Sequence, residues 1–208
     1  MVTVLIIIAY LLGSIPTAVW IGKTFYGIDV REFGSGNAGA TNTFRVLGKK
    51  AGIPVLVIDI VKGTAAVGLS YLSVFEFRSP EFINLQLGLG VAALVGHIFP
   101  VFAGFRGGKG VATILGIVIC ILPLASMLSL LVFLLVLFTS RIVSLSSMLA
   151  GLSFPLILNL ILKNENPVLT TFSIVVAVLL IITHRKNIIR LVNKQESKVR
   201  LFSAKGNK

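Results

Sequence analysis

Long apolar runs separated by short polar segments make up most of the chain. The runs lie at about residues 2–22, 51–75, 83–105, 111–122, 124–139, 143–162 and 167–183. They are rich in Leu, Ile and Val and lack the strict alternation of apolar and polar positions that a transmembrane β-strand needs. Because a helix of ~20 apolar residues crosses a ~30 Å hydrocarbon core, the pattern predicts a bundle of membrane-spanning helices.

The stretch 111–139 has two interpretations. As a single helix it would measure ~44 Å at 1.5 Å per residue, which exceeds the ~30 Å core unless the helix tilts strongly. As two shorter helices it would break at Leu122-Pro123, because proline interrupts the hydrogen bonds of a helix.

Positive charge favours the two shorter helices. Folding 111–139 as a hairpin leaves only Arg78 and Lys163 on one side of the membrane. The other side then collects Lys23, Arg31, Arg45, Lys49, Lys50, Arg106, Lys109, Arg141 and eight Lys and Arg residues from Arg185 onward. Since Lys and Arg accumulate in cytoplasmic loops, we predict an all-α integral membrane protein. It has seven transmembrane helices, with the N-terminus outside and the C-terminus cytoplasmic.

The same pattern predicts a single seven-helix membrane domain over residues 1–191 and a basic cytoplasmic tail over residues 192–208. The tail is polar and basic, so we expect a frayed helix that rests on anionic lipid head groups.

Composition excludes a water-soluble protein. The 208 residues are 56% hydrophobic and 12% charged, with a mean hydropathy of +1.00, whereas soluble domains carry about 25% charged residues. The net charge of +12 is therefore explained by topology, and no nucleic-acid partner is expected. The single Cys120 excludes an intramolecular disulfide and a cysteine-based metal site.

The first polar segment with candidate chemistry runs from Arg31 to Arg45. Its Gly34-x-Gly36-x-x-Gly39 spacing matches the dinucleotide fingerprint, but the segment follows a predicted membrane helix instead of a strand. Clustered glycines allow successive backbone N–H groups to converge on an anion, and an arginine fork suits phosphate. The alternative is a flexible loop whose glycines form turns. The candidate phosphate ligands are Gly34, Gly36, Asn37 and Arg45, with Ser35 as a neutral donor.

The second polar segment, residues 96–113, is rich in glycine around Lys109. It departs from the Walker pattern because Gly110 stands where Ser or Thr is required. Gly107 and Gly108 nevertheless precede a helix predicted to begin at Val111. Backbone amides, a helix amino end and an ammonium group together form an anion site. His97, in the span before the loop, is interpreted as a hydrogen-bonded structural residue.

The third segment combines residues 139–147 with residues 184–191. On a helix, His184, Asn187 and Arg190 recur three residues apart, so one face presents imidazole, amide and guanidinium together. The alternative is a basic anchor that ends the last span. Ser144 is a candidate phosphate ligand, or it packs helices as small hydroxyl residues do in membranes.

Asp59 and Lys62 lie three residues apart inside the second predicted span. A lone charge at that depth costs ~2.5–3.5 kcal/mol, so a structural ion pair is expected. The pair also permits a different class of protein, a transporter of a phosphorylated solute. Against transport, the glycine loops lie at the membrane edge and no inverted repeat is evident.

Taken in order, the three segments resemble one family. Its motifs correspond to Gly34-Ser-Gly-Asn-Ala-Gly-Ala-Thr-Asn42 with Arg45, to Gly96-His-x-Phe-Pro-Val-Phe with Gly-Gly-Lys109-Gly-Val-Ala-Thr113, and to His184-x-x-Asn187-Ile-x-Arg190-Leu. The chain closely resembles the PlsY family of bacterial acyl-phosphate-dependent glycerol-3-phosphate 1-acyltransferases, through Leu191. One departure is Arg106, where lysine is often expected; the substitution keeps the charge but changes the donor geometry.

The resemblance implies a multi-pass enzyme of the bacterial cytoplasmic membrane with its active site in cytoplasmic glycine-rich loops. It implies that acyl phosphate and glycerol 3-phosphate give lysophosphatidic acid and orthophosphate, the first step of phospholipid synthesis. It also implies no cofactor, no metal, and no need for coenzyme A or acyl carrier protein.

We predict site residues from the segments and the resemblance together. Catalytic roles are predicted for Ser35, Lys109, His184 and Asn187. Phosphate binding is predicted for Gly34, Gly36, Asn37, Arg45, Gly107, Gly108, Ser144 and Arg190. Asp59 and Lys62 form the structural pair. His184 is either the general base or an orienting residue; we favour a route in which the departing phosphate takes the proton.

Overall fold

The computed structural model describes residues 1–199, and this part of the chain is helical without any β-strand. It divides into two compact units, Met1–Pro123 and a second unit that begins at Leu124. The α-helices are α1 (Val2–Gly13), α2 (Thr17–Tyr26), α3 (Ala40–Leu47), α4 (Lys49–Gly68), α5 (Pro80–Ile98), α6 (Val111–Ile121), α7 (Pro123–Ser140), α8 (Val143–Leu156), α9 (Pro167–Thr183) and α10 (Arg185–Val192).

The helices confirm an all-α integral membrane protein. Four continuous helical stretches are long and apolar enough to cross a membrane: Lys49–Leu72, Pro80–Ala103, Pro123–Ser140 and Val143–Ile161. Two further pairs qualify only as bent spans, α1 with α2 at 42° and α9 with α10 at 59°. The seventh predicted span is α6, whose 11 residues rise only ~16 Å. Up to six spans are thus supported by length and composition, and the total of seven stays a prediction.

The predicted break at Leu122-Pro123 is confirmed. α6 ends at Ile121, Leu122 leaves the helical region with φ −136° and ψ 64°, and α7 begins at Pro123. A proline at the first position of a helix loses no hydrogen bond, because that N–H would have no partner within the helix.

The first apolar run is interrupted near Pro16 and forms a bent pair of helices. Residues 2–22 form parts of two helices, with Ser14 closing α1 and Pro16 preceding α2. The bend places the carbonyl of Ile15 where Lys62 Nζ donates to it at 3.0 Å.

Within the first unit, α4 and α6 approach each other closely because glycines line their contact. A Cβ at Gly63 would overlap the carbonyl of Thr113, and a Cβ at Gly116 would overlap the carbonyl of Ile60. Small residues at helix crossings allow the backbone contacts that stabilise membrane helices. The second glycine loop, Gly107–Gly110, leads directly into α6. The packing of α6 against α4 therefore also fixes the position of the end of this loop.

Within the second unit, α8 packs against α9, and a Cβ at Gly151 would overlap the Leu180 side chain. Beyond α10 the chain does not continue as the frayed helix expected for the tail. Residues 193–199 fold back, and the Val199 N–H donates to the Arg141 carbonyl at 2.8 Å. The rest of the predicted tail lies outside the described residues.

Candidate active site

The first glycine-rich segment is organised by the side chain of Asn42. Asn42 Nδ2 donates to the carbonyls of Val30 and Phe33, at 2.8 and 3.1 Å. Its Oδ1 accepts from the backbone N–H and the hydroxyl of Ser35, at 2.8 and 3.1 Å. This fully buried amide therefore fixes both the turn and the Ser35 side chain.

Gly34 and Gly36 supply the backbone conformation that this turn requires. Their φ angles are +61° and +71°, values that residues with a Cβ rarely adopt. Arg45, exposed on α3, lies beside Gly34, since a Cβ at that glycine would be 3.4 Å from Arg45 Cδ. The structure thus brings Gly34, Ser35 and Arg45 together.

Two amides of this segment are already bonded within the protein. The Ser35 N–H donates to Asn42 as described, and the Gly36 N–H donates to the Phe33 carbonyl at 3.0 Å. In this conformation these two amides therefore have their partners inside the protein. Phosphate binding by Gly34, Gly36 and Asn37 stays a prediction.

The second glycine loop rests on the carboxyl end of α5. The N–H groups of Gly107 and Gly108 donate to the carbonyls of Ile98 and His97, each at 3.1 Å. A Cβ at Gly108 would overlap His97 Nε2. These glycines thus allow the loop to lie against the imidazole, and the phosphate contacts predicted for their amides stay untested. Lys109 is partly exposed, two residues before the amino end of α6.

A buried ionic pair lies in α4 of the same unit. Lys62 Nζ is 2.9 Å from Asp59 Oδ1, and the two side chains are 4% and 2% exposed. Thr17 in α2 donates its hydroxyl to the same carboxylate oxygen at 3.1 Å. The three side chains have the contacts expected of a structural ion pair in a membrane.

His97 connects this pair with the second glycine loop. Its Nδ1 is 3.1 Å from Thr113 Oγ1 in α6 and 3.8 Å from Asp59 Oδ1. Gly108 leaves room for the imidazole beside the loop, since a Cβ there would overlap Nε2. The geometry agrees with the interpretation of His97 as a hydrogen-bonded structural residue.

Asp29 and Arg31 form a second ionic pair of the first unit, outside the membrane spans. Hydrogen bonds from Arg31 hold the pKa of the Asp29 carboxyl well below its usual range, against the opposing effect of burial. The same contact raises the pKa of Arg31. Lys23 approaches the Asp29 carboxylate at 3.4 Å. The sequence analysis assigned no role to this pair.

In the second unit, three predicted site residues converge on one carboxylate. Glu196 accepts hydrogen bonds from Ser144 Oγ at 2.8 Å, from Asn187 Nδ2 at 2.6 Å and from Arg190 Nε at 2.6 Å. Burial alone would raise the pKa of Glu196, but these donors outweigh it and lower the pKa below its usual value. A cluster that holds a carboxylate this way has the donors that bind anionic groups.

His184 is buried where α9 ends and α10 begins. Its Nδ1 is 2.7 Å from the carbonyl of Leu180. Because a carbonyl only accepts, Nδ1 carries a proton in this contact. The chain bends at His184, which lies just before α10. Asn187 and Arg190 are in α10, so the three residues do not share one continuous helix as the sequence analysis expected.

A family model supplies the deciding comparison. The model described as glycerol-3-phosphate acyltransferase matches residues 3–194. The chain belongs to the glycerol-3-phosphate acyltransferase family. A glycerol-3-phosphate acyltransferase of Enterococcus faecalis is 44% identical over 205 residues, covering 95% of this chain and 92% of that one. The Listeria monocytogenes enzyme is 47% identical, covering 93% and 94%.

Two solved structures resemble this family member along nearly its whole length. The glycerol 3-phosphate form of PlsY (YgiH), an integral membrane glycerol 3-phosphate acyltransferase, has a TM-score of 0.85 at 39% identity and covers 96% of both chains. Its lysophosphatidic acid form has a TM-score of 0.81 at 38% identity, covering 96% of this chain and 95% of that one.

Two organising residues of this acyltransferase were missed from the sequence. In the sequence Asn42 is only the last residue of the first motif, and its burial, which makes it a structural amide, is evident only from the fold. Glu196 was assigned to the basic tail that was expected to rest on lipid head groups. Its signal is weak, because a single Glu among Lys and Arg is ordinary on a surface. Within residues 1–199 no group of three or more His, Cys, Asp or Glu is placed to hold a metal ion.

Proposed function

We propose that this protein transfers a fatty acyl group from acyl phosphate to the 1-hydroxyl of sn-glycerol 3-phosphate. The products are lysophosphatidic acid and orthophosphate. The observation that carries the proposal is the likeness, over 96% of the chain, to an integral membrane acyltransferase solved in a glycerol 3-phosphate form and a lysophosphatidic acid form. The protein is an acyltransferase, and its relatives bear the corresponding name.

The charged residues support a donor that carries a phosphate group. Two phosphate-bearing substrates need several positive groups, and Arg45, Lys109 and Arg190 supply guanidinium and ammonium groups in the right segments. A mixed anhydride is already activated, so the protein has only to bind, align and stabilise it. Coenzyme A, acyl carrier protein and a metal are therefore not required.

In the first unit, we propose that the first glycine segment holds the phosphate of the donor. Ser35, fixed by Asn42, and Arg45, exposed beside Gly34, are the side chains that support this assignment. Lys109 faces the charge that develops on transfer, close to the positive end of the α6 dipole. The two loops are shaped by Gly34, Gly36, Asn37, Gly107 and Gly108. Their backbone N–H groups bind phosphate once substrate displaces the protein groups that they contact in this structure.

In the second unit, Ser144 and Arg190 are assigned to phosphate and His184 and Asn187 to the glycerol moiety. The support for Ser144, Asn187 and Arg190 is that all three donate to the carboxylate of Glu196. The hydrogen bond to the Leu180 carbonyl orients the imidazole of His184.

The reaction balances without a protein nucleophile. The 1-hydroxyl oxygen attacks the acyl carbon, the bond from that carbon to the phosphate oxygen breaks, and orthophosphate leaves. The departing phosphate takes the hydroxyl proton, while His184 orients the hydroxyl. His184 as the general base is the alternative, and the two routes are separated below.

We further propose seven spans, with the N-terminus outside and the C-terminus in the cytoplasm of a bacterial cell. The support is the charge distribution, since only Arg78 and Lys163 fall on the outer side. Residues 1–191 then form one membrane domain with a basic tail over 192–208. A reporter enzyme fused after Lys208 should be active in the cytoplasm, and one inserted at 76–81 should be active outside. A cytoplasmic 76–81 loop would contradict the seven-span topology.

Purified protein in detergent tests the function directly. Given acyl phosphate and glycerol 3-phosphate, it should form lysophosphatidic acid, which extraction and chromatography detect. Detergent leaves no separate compartments, so a transporter of phosphorylated solutes would form no product. Substrate uptake by proteoliposomes without product formation would contradict the proposal.

A further inference from the structure

Arg31 directs its guanidinium into the protein. Its Nε donates to Asp29 Oδ1 at 2.9 Å and its Nη2 to Asp29 Oδ2 at 2.7 Å. The Arg31 backbone N–H donates to Asp29 Oδ1 at 3.0 Å and so caps the 3₁₀ turn Val30–Glu32. The two side chains are only 14% and 10% exposed. A paired fork of this kind fixes the orientation of the guanidinium plane.

The remaining end of the guanidinium reaches the second glycine loop. Arg31 Nη1 donates to the carbonyls of Ala103 and Arg106, at 2.8 and 3.2 Å. Arg106 precedes the Gly107–Gly110 turn that contains Lys109. Arg31 itself lies three residues before Gly34, in the first glycine segment. One side chain therefore connects the two segments that the proposed function assigns to phosphate.

We infer that Arg31, anchored by Asp29, is a positioning residue that holds the second glycine loop, and through it Lys109, in register with the first glycine segment. An arginine beside a glycine-rich loop would by charge alone be assigned to substrate phosphate. Here its hydrogen bonds go to one carboxylate and two carbonyls of the protein, so it acts through other residues. Lysine cannot replace it, because an ammonium group lacks the planar fork.

Hydrogen exchange tests the positioning role without any substrate. The amides of Ala103, Phe105, Gly107 and Gly108 are hydrogen-bonded within the second loop and its support, so their exchange reports on its order. In Arg31→Lys, peptides over 103–108 should exchange on the order of tenfold faster than in wild type, and α9 peptides should not change. Lys50→Ala, an exposed charge change on α4, is the matched control.

Asp29→Asn provides a second variant that keeps the arginine. Removing the carboxylate charge should release the same loop, with a smaller increase in exchange than Arg31→Lys. Unchanged exchange over 103–108 in both variants would overturn the inference. Faster exchange throughout α1–α6, or failure of both variants to fold, would make Arg31 a general scaffold residue and overturn it as well.

A kinetic cycle tests whether Arg31 acts through Lys109. The kinetic experiment rests on the proposed function, whereas the hydrogen-exchange experiment does not. An inactive wild-type protein would therefore contradict the proposed function and leave the positioning role to the exchange data. Arg31→Lys should lower kcat/KM about tenfold in wild type and much less in a Lys109→Ala background, because residues acting through one element are not additive. Equal losses in both backgrounds would overturn the inference. An active Asp29→Asn variant with unchanged kinetics would do the same, since it would indicate direct contact of Arg31 with substrate.

Discussion

The ion pairs Asp59–Lys62 and Glu196–Arg190 of this acyltransferase differ in their exposure and in the groups that surround them. In the first unit, Lys62 and Asp59 are 4% and 2% exposed, and the carboxylate also accepts from Thr17. In the second unit, Arg190 is 31% and Glu196 5% exposed. The Asp59 pair has its partners inside the helix bundle, beneath the second glycine loop.

The Glu196 pair has partners of another kind. Its carboxylate accepts from Ser144 and Asn187, both of which are assigned to substrate. Under the proposed assignments, the Asp59 pair supports the fold. The Glu196 pair belongs to the substrate-binding site, because its other donors are assigned to substrate. Substitutions in the Asp59 pair should therefore mainly change stability. Substitutions of the donors around Glu196 should mainly change kinetics, and Glu196 itself should affect stability only slightly.

The largest effect is expected for Asp59→Asn. Removing one partner leaves the Lys62 charge buried without its counter-ion, which costs about 3–5 kcal/mol of unfolding free energy. Thermal unfolding in detergent should show a clear loss of stability, with little change in the KM of the protein that remains folded. The double variant Asp59→Asn/Lys62→Met should recover part of the loss. An Asp59→Asn protein as stable as wild type would show that the pair is no scaffold.

Lys109→Ala should have the next largest effect, on kcat. Loss of one preorganised group at developing charge lowers kcat roughly 10²–10³-fold, while thermal stability should stay close to that of wild type. Steady-state kinetics with acyl phosphate measure it, and Lys50→Ala serves as the control. Near wild-type kinetics in Lys109→Ala would remove this lysine from the site.

His184→Ala and His184→Gln separate an orienting residue from a general base. If the phosphate takes the proton, glutamine should restore part of the activity that alanine loses, and the acidic limb of the pH–rate profile should remain. A general base would lose ~10²–10⁴-fold in both variants, together with that limb. Full activity in both would exclude His184 from the mechanism.

The smallest effect concerns Glu196 and pH. Because the folded-state pKa of Glu196 is lowered, its contribution to stability is complete above its usual value of 4.5 and is lost as pH falls through the folded-state pKa. Urea or thermal unfolding followed from pH 7 down to pH 3 should show no such loss above pH 4.5 and a progressive loss below it in wild type. Glu196→Gln should lack this component of the pH dependence. A wild-type stability that changes between pH 6 and pH 8 by the amount that Glu196→Gln removes would contradict the assignment.

Local chemistry accounts for what the sequence predicted correctly. Long apolar runs predict helices in a membrane, and Pro123 predicts the break after α6 because proline lacks an N–H. Lys109 precedes a helix amino end as expected. The Asp59–Lys62 contact is a matter of helical spacing, so it too is evident from the sequence.

Tertiary contacts account for what was missed. Glu196 meets Ser144 across 52 positions, and Arg31 meets Ala103 across 72, so no local pattern reveals either. The bend at His184 was missed as well, because the polar residues after Thr183 indicate where the apolar run ends but not how the chain turns there. The glycine amides were expected to serve an anion, but nearby carbonyls are their partners in this conformation.

The stoichiometry of the reaction tests the central claim most directly. Purified protein is given acyl phosphate and radiolabelled glycerol 3-phosphate, and lysophosphatidic acid and orthophosphate are counted in the same sample. We predict one orthophosphate for each lysophosphatidic acid, and no comparable rate when acyl coenzyme A is the only donor. Equal rates with acyl coenzyme A, or lysophosphatidic acid formed without orthophosphate release, would contradict transfer from acyl phosphate.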